Sequence, residues 1–441
     1  MEPAKKKRQR RYCSPLLLGF IAICRRNTMQ NFQQVRNRDS FLNRRICFDW
    51  LTLSLVAIYF AVFKLVCIPK VLQQGLKVCC VFFVVLFLVT NLKGRDWKHP
   101  SIPFCLVVVV SSVAGYLAGY VDSTNCIDAL FYSICLYALA LLISTCGRWG
   151  RIDTFINVFF WMTVVYCILS IAFIAKVGVA DGPLLYYFAG NKFSTSYYFI
   201  LLACLTYVRL HRAGVSGKTV TAVAAGLGLL ALVVARAVYC STAVAMSALV
   251  VVLVFLPREA QRLLEKPTVI IAAMIMTGVI LVFLSSLLQT PLVKHFVVDI
   301  LGENLTLTGR DLIYSGLQTV ISGSPVFGYG YGNAAVAMHV GYGNAQNSIM
   351  ETLVNYGVVG LMAILYMVWT CSKRSKRQWS WGMFILLYAM IAGSVVEITY
   401  NYFFFIALMA ILVSSDRRAT EERFEQEKQG TDCGKRPLVG R

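Results

Sequence analysis

Charged residues are scarce in this chain. Asp, Glu, Lys and Arg make up 14% of the 441 residues, whereas 58% are hydrophobic. Because globular domains carry about 25% charged residues to cover their surface, the composition excludes a soluble protein of this length. Long apolar runs separated by short polar loops are typical of polytopic membrane proteins. The sequence therefore predicts an all-α fold built from transmembrane helices.

Acidic residues are the rarer charged type, with 21 Asp and Glu against 42 Lys and Arg and a net charge of +21. An excess of this size can indicate nucleic-acid binding. However, the chain has no DNA- or RNA-binding motif, and its cations lie mainly in the termini and in short loops between apolar runs. Lys and Arg so placed are typical of the cytoplasmic loops of membrane proteins. We therefore expect membrane lipids as partners and no nucleic acid.

Patterns of metal-binding residues are absent. The 15 cysteines are scattered mainly through apolar segments, with no CxxC and no Cys/His ligand spacing. We interpret them as small buried apolar residues. The sequence predicts neither a metal nor a cofactor.

Twelve apolar segments are predicted to span the membrane, the sixth of them being short for a span. The predicted spans are 47–68, 71–91, 101–120, 126–146, 153–174, 194–208, 219–235, 238–256, 268–288, 347–370, 380–396 and 398–414. A basic segment, 1–45, precedes the transmembrane domain 46–415, and a charged tail, 416–441, follows it. With the N-terminus inside, 34 of the 42 Lys and Arg are cytoplasmic, so both termini are predicted to be cytoplasmic.

The segment 289–346, between the ninth and tenth spans, is predicted to be a large extracytoplasmic loop that lies along the membrane face. A helix is predicted over 309–322, with Arg310 in its first turn. A cation at a helix N-terminus is locally unfavourable, which suggests that an anion binds there. The alternative is an arginine that reaches to lipid headgroups.

Glycines and tyrosines alternate in the second half of this loop. Gly328 and Gly330 permit positive φ and a close approach of the backbone to a ligand. Tyr331 can stack on a sugar ring, although tyrosines are also common at bilayer interfaces. The alternative interpretation of this stretch is a flexible surface loop.

Polar residues open the tenth span. Asn347, Glu351 and Asn355 are four residues apart and share one helix face, and their cost in lipid predicts that they face the bundle or a water-filled cavity. Interhelical hydrogen bonding is the alternative. Arg236 is a second predicted extracytoplasmic arginine, either a ligand contact or a helix-end anchor. His339 is a candidate base, although a lone histidine usually has another role.

These motifs resemble the bacterial O-antigen ligase and O-antigen polymerase superfamily. Its members have a Gly-Arg before a short helix, then Pro-x-x-Gly-x-Gly, then a His-Asn that opens a helix ending in Gly-x-x-Gly. The matching segments are Gly309-Arg310, Pro325–Gly330, Asn347–Glu351 and Gly357–Gly360. Gln346 occupies the place of the family histidine, which favours polymerase over ligase. Glutamine is no base, but it can hydrogen-bond a sugar or a phosphate.

The resemblance implies a GT-C-like architecture and a metal-independent glycosyltransferase on the outer face of the bacterial cytoplasmic membrane. The donor would be a glycan on polyprenyl pyrophosphate, and the acceptor a sugar hydroxyl of another lipid-linked repeat unit. Arg310, with Arg236 as a second cation, would offset the charge of the leaving pyrophosphate. Glu351 or His339 would orient or deprotonate the acceptor. A flippase and a chain-length regulator are the protein partners that this implies.

Two alternatives remain open from the sequence. A ligase would move finished glycan to a lipid or protein acceptor with the same chemistry. A glycolipid flippase or transporter would carry out no reaction, and it would be expected to bury charges deep in several spans. The few charges near the apolar interior argue against a transporter.

Overall fold

The computed structural model describes residues 49–63, 69–91, 98–177, 187–282, 310–332, 334–373 and 378–414. Their secondary structure is helical, apart from a short 3₁₀ turn and one isolated bridge between Tyr187 and Gly190. The helices are α1 Trp50–Val62, α2 Lys70–Asn91, α3 Ile102–Leu117, α4 Ser123–Arg148, α5 Ile152–Val177, α6 Lys192–Arg212, α7 Gly217–Ala237, α8 Ser241–Val254, α9 Arg258–Leu264, α10 Pro267–Val282, α11 Arg310–Gly323, α12 Ala334–Val340, α13 Ser348–Ser372, α14 Trp381–Gly393 and α15 Tyr402–Ser414. The predicted all-α class is confirmed for these residues.

A helix overlaps each of the twelve segments predicted to cross the membrane. Six of them, α2, α4, α5, α6, α7 and α13, are long and apolar enough to span a bilayer. The other six are apolar helices of 10–17 described residues. The helices thus support a membrane-embedded protein. The segments 1–45, 283–309 and 416–441 lie outside the described residues.

The buried centre of the bundle includes α6, α14 and α15, and the last two are apolar on every side. Nearly all residues of α14 and α15 are buried, and so are most residues of α6. A helix that is hydrophobic all round belongs in such a position. By contrast, α2 and α5 expose large apolar side chains, including Phe82 and Ile168. We interpret these exposed faces as the surfaces that meet lipid.

The sixth predicted span is longer than expected from the sequence. Helix α6 has 21 residues, and the Asn191 side chain caps its first turn. Its last turn is stabilised by polar partners on α5, because Arg209 bonds to Asn157 and Arg212 bonds to Asp153. Cations at a helix C-terminus also complement the helix dipole. The prediction of a short span, 194–208, was wrong because it ended the span before Arg209 and Arg212, which belong to the helix.

The last two predicted spans are separated by more than a single residue. Between α14 and α15, residues 394–401 are not helical. Their backbone is bound instead by Ser348, whose Oγ donates to the Glu397 carbonyl at 3.1 Å and accepts from the Thr399 amide at 2.8 Å. The Ser348 amide also donates to the Ser394 carbonyl. These hydrogen bonds replace those of a helix. The predicted connection between the two spans, residue 397 alone, was therefore too short.

Three ion pairs between described residues lie at one end of the bundle. They are Asp49–Arg151, Asp153–Arg212 and Arg258–Glu265. We call this the basic end. The other end, which we call the site end, carries the described part of the predicted loop, the start of α13 and the 394–401 segment.

Candidate functional site

Helix α13 is interrupted at Gly357, where φ is 63° and ψ is −165°. In a continuous helix, the amides of residues 358 and 359 would donate to the carbonyls of residues 354 and 355. Here the Val358 amide donates to the Pro325 carbonyl at 2.9 Å, and the Val359 amide donates to the Val326 carbonyl at 3.2 Å. The interruption therefore exposes two backbone carbonyls and gives two amides to another segment.

The freed carbonyls are also taken by that segment. The Tyr329 amide donates to the Val354 carbonyl, and the Gly330 amide donates to the Asn355 carbonyl, both at 2.8 Å. Backbone groups at membrane depth need internal partners, because lipid offers none. Residues 325–330 supply all four, so the Pro-x-x-Gly-x-Gly and Gly-x-x-Gly motifs of the sequence form one interlocked unit. We call this unit the helix-break joint.

Two glycines make the helix-break joint possible. Gly328 has a φ of 68°, and a Cβ on it would lie 2.4 Å from the Asn355 carbonyl carbon. A Cβ on Gly357 would lie 2.1 Å from the Val326 oxygen. Both positions therefore need a residue that has no side chain and tolerates positive φ. The predicted close approach of this backbone occurs, and it is towards the protein's own chain.

The other side of the same segment packs on α3. The Tyr331 amide donates to Ser112 Oγ at 2.9 Å, and a Cβ on Gly330 would lie 2.9 Å from the Ser112 Cα. A Cβ on Gly115 would lie 2.0 Å from the Tyr329 carbonyl oxygen. The stretch is thus held between α3 and α13. The interpretation of a flexible surface loop was wrong for these residues, because they satisfy an interrupted helix.

A carboxylate is buried beside the helix-break joint. Glu351 is 8% exposed. Its Oε2 accepts from the Ala345 amide at 2.9 Å, and its Oε1 accepts from Asn355 Nδ2 at 3.0 Å. Glu351 thereby holds the backbone just before α13 in place at Ala345. Gln346 is the residue that follows Ala345.

Two amide oxygens in this region are left unpaired. Asn355 Oδ1 and Gln346 Oε1 are both buried and make no hydrogen bond with the described residues. Gln346 also has a φ of 48°, which is strained for a residue other than glycine. Its carbonyl accepts from the Tyr314 hydroxyl at 3.2 Å. Because an unpaired buried acceptor is costly, these oxygens suit a ligand that is rich in hydroxyl donors.

Asn347 is placed differently from its neighbour. It is fully buried, and its Oδ1 caps α13 by accepting from the Ile349 and Met350 amides. Its Nδ2 donates to the carbonyls of Thr277 and Val395, both at 3.2 Å. An asparagine side chain has two donors and two acceptor lone pairs, so all of them are in use. Asn347 joins α10, α13 and the 394–401 segment.

Tyr331 lies in a group of aromatic rings. Its ring centroid is 5.5 Å from that of Tyr132, which is 5.3 Å from that of Tyr402. Burial raises the pKa of Tyr331 to about 12, with the negative charges of Asp128 and Glu351 adding to the effect. The phenol is protonated at neutral pH, as an unshifted tyrosine would also be, and can donate a hydrogen bond. Sequence reasoning missed Asp128 and Tyr132, although their four-residue spacing on α4 predicts a shared face.

Arg310 is the first residue of α11. Its side chain lies outside the described residues. One helical turn later, the Tyr314 hydroxyl donates to the Gln346 carbonyl, and the backbones of Arg310 and Tyr314 are about 6 Å apart along the helix axis. Ile313, Leu317 and Val320 are buried on the apolar face of α11. The start of α11 is thus directed to the same region as Gln346.

His339 and Arg236 do not join this group through any hydrogen bond or ion pair of the described residues. His339 is exposed on α12, with its ring centroid 6.0 Å from that of Tyr329. Its Nδ1 donates to the Ala335 carbonyl at 2.9 Å, so the neutral ring presents Nε2 as an acceptor. Arg236 is exposed in the last turn of α7. The structure therefore brings together Gly328, Gly330, Tyr331, Gln346, Asn347 and Glu351, with Arg310 on the adjoining helix.

The described residues contain no group of three His, Cys, Asp or Glu side chains placed to hold a metal ion. The ten described cysteines are unbridged, and seven of them are buried. Comparison with models of known protein families, with curated proteins and with solved structures found no match.

Proposed function

We propose that the protein is a polymerase of lipid-linked polysaccharide repeat units, such as those of O-antigen, capsule or exopolysaccharide. The observation that carries the proposal is the helix-break joint. It sets the buried carboxylate of Glu351, which accepts a hydrogen bond from Asn355, near the unpaired oxygen of Gln346 at one end of a membrane-embedded bundle. A glycan offers many hydroxyl donors to such acceptors. The start of α11 brings Arg310 to the same end.

The reaction is a substitution at the anomeric carbon of the donor glycan. The bond from this carbon to the acceptor hydroxyl oxygen forms as the bond to the polyprenyl pyrophosphate oxygen breaks. Arg310, with Arg236 as a second cation, offsets the charge that develops on the leaving pyrophosphate. The hydroxyl proton passes to Glu351 or His339. Tyr331 and Gln346 bind the glycan, while Gly328, Gly330 and Asn347 shape the site around them.

All twelve apolar helices cross the bacterial cytoplasmic membrane in this proposal, as in a GT-C-like architecture. The site end is extracytoplasmic, and both termini are cytoplasmic. Helices α14 and α15 have 13 residues each, about 20 Å, which is less than the roughly 30 Å of the hydrocarbon core. Because protein surrounds both helices, their ends need not meet lipid. The large extracytoplasmic loop predicted over 289–346 contributes Tyr331 and Gln346 to the site.

Reconstitution tests this function directly. The purified full chain in proteoliposomes, supplied with polyprenyl-pyrophosphate-linked repeat units, is expected to produce a ladder of longer glycans on the carrier. Arg310→Ala is expected to abolish the ladder, and Lys218→Ala, an exposed cation at the basic end, to preserve it.

Other outcomes identify the alternatives. Glycan transferred to a lipid or protein acceptor, with no ladder on the carrier, would indicate a ligase. Translocation of labelled carrier without any new glycosidic bond would indicate a flippase. A normal ladder from Arg310→Ala would remove that residue from the mechanism.

A further inference from the structure

A charged cleft of about 360 Å³ lies at the basic end, between α9, the start of α10 and the end of α13. Four cations line it: Arg258, Arg262, Lys266 and Lys373. The carboxylate of Glu265 is also present, but it is paired with Arg258 at 2.8 Å. The volume is within the range of small-molecule pockets. The cleft therefore keeps an excess of positive charge.

Arg258 is held in place before any ligand arrives. Its Nη1 donates to Gln261 Oε1 at 2.9 Å and to Glu265 Oε1 at 2.8 Å. Gln261 is itself buried, and its Nε2 donates to the Leu256 carbonyl. A guanidinium fixed through one nitrogen still presents its other donors in the geometry that suits phosphate. No ion pair among the described residues neutralises the other cations of the cleft.

An exposed apolar stripe leads along α13 to this cleft. It consists of Val358, Met362, Tyr366 and Trp369, which are 40–59% exposed. Their spacing places them on one helix face with Lys373. The Lys373 Nζ lies 6.0 Å from the Trp369 ring centroid. Tryptophan next to a cation is typical of the level at which lipid headgroups begin, so acyl chains would lie along the stripe.

We propose that this cleft binds the phosphate of an anionic phospholipid whose acyl chains lie along the α13 stripe. Inorganic phosphate would contact only the cations of the cleft and leave the apolar stripe uncovered. The continuous apolar face beside the cleft favours a lipid. Basic pockets between transmembrane helices bind anionic headgroups in this way. The site is separate from the glycan chemistry proposed for the opposite end.

Photo-crosslinking tests this site in the full chain. The probe is phosphatidylglycerol with a diazirine on one acyl chain, mixed into phosphatidylcholine nanodiscs that contain the protein. Adducts are expected on peptides from α13, along which the labelled acyl chain lies, and unlabelled phosphatidylglycerol should compete for them. Lys266→Gln with Lys373→Gln is expected to weaken lipid binding about thirtyfold, at roughly 1 kcal/mol for each lysine.

The matched control removes two exposed lysines outside the cleft, Lys98→Gln with Lys218→Gln. This variant should keep the wild-type adducts. Equal loss in the control, or adducts spread evenly over the chain, would show a general attraction to anionic membrane and overturn the proposal. Competition by inorganic phosphate as effective as that by lipid would identify a free-phosphate site and overturn the lipid assignment.

Discussion

Gln346 and Asn347 are neighbours in the chain, but their side-chain amides do different things. The Asn347 side chain uses all its donors and acceptors in hydrogen bonds within the protein. Gln346 has an unpaired buried oxygen and a strained backbone. Strain of this kind persists only where the surrounding structure imposes it, and it is frequent at functional sites. We therefore assign fold stability to Asn347 and ligand binding to Gln346.

This assignment predicts opposite effects for two substitutions. Gln346→Gly relieves the positive φ and removes the unpaired oxygen, so it should stabilise the protein by about 1 kcal/mol while reducing glycan transfer. Asn347→Ala removes the α13 cap and should cost about 1–2 kcal/mol. Thermal unfolding in detergent measures stability, and the proteoliposome assay measures transfer.

Tyr239 provides the control for backbone strain. Among the described residues, it is the other non-glycine residue with positive φ, at 52°. Tyr239→Gly should therefore stabilise the protein without reducing transfer. A loss of stability in Gln346→Gly, or transfer at the wild-type rate, would contradict the role given to Gln346.

The sequence predicted local features, such as a shared helix face or a positive φ, better than it predicted which distant residues are in contact. The shared face of Glu351 and Asn355 followed from helical spacing, and the structure joins the two by a hydrogen bond. The positive φ of Gly328 and Gly330 was also expected. What the glycines contact could not be predicted, because Gly357 lies about thirty positions away in the chain and no local pattern pairs distant backbones.

Helix α13 is the element that organises the site end. Its interruption at Gly357 turns two helical hydrogen bonds into four bonds with residues 325–330. The apolar pattern of the tenth span predicted a continuous helix, because hydropathy reports burial and not backbone pairing. The sequence signal that was available is the glycine itself, since glycine in a helix interior is destabilising without a packing reason.

Gly357→Ala should therefore disrupt the helix-break joint. The Cβ would overlap the Val326 carbonyl and force an alanine into positive φ, at a cost of about 3 kcal/mol or more. Gly119 has a φ of 78° but nothing within 4 Å of its would-be Cβ. Gly119→Ala should consequently cost only the conformational part, about 1–2 kcal/mol.

Gly226 completes this series, because it lies inside α7 with open space around it. Gly226→Ala should leave stability unchanged or raise it by up to about 1 kcal/mol. Thermal unfolding of the three variants separates steric overlap from backbone strain. If Gly357→Ala were no less stable than Gly119→Ala, the close packing of the helix-break joint would not be needed.

The described helical bundle has two chemically different ends. The basic end holds three ion pairs and the proposed phospholipid cleft. The site end holds the helix-break joint, the tyrosine group and the buried carboxylate. Composition was sufficient to predict a helical membrane protein, because scarce charge and long apolar runs leave few other solutions. Composition could not predict that two helices of only 13 residues would lie at the centre. Such helices are surrounded by protein, so the thickness of the lipid bilayer does not fix their length.

Membrane sidedness is the central claim, because assembled lipid-linked glycans must meet the site end from outside. His339→Cys places a thiol at an exposed position of the site end, and Lys218→Cys places one at an exposed position of the basic end. Each is compared with the parent chain by labelling with a membrane-impermeant maleimide, in intact and in permeabilised bacterial cells. We predict additional labelling of His339→Cys in intact cells and of Lys218→Cys only after permeabilisation. The reverse pattern would put the candidate site in the cytoplasm and contradict the proposed function.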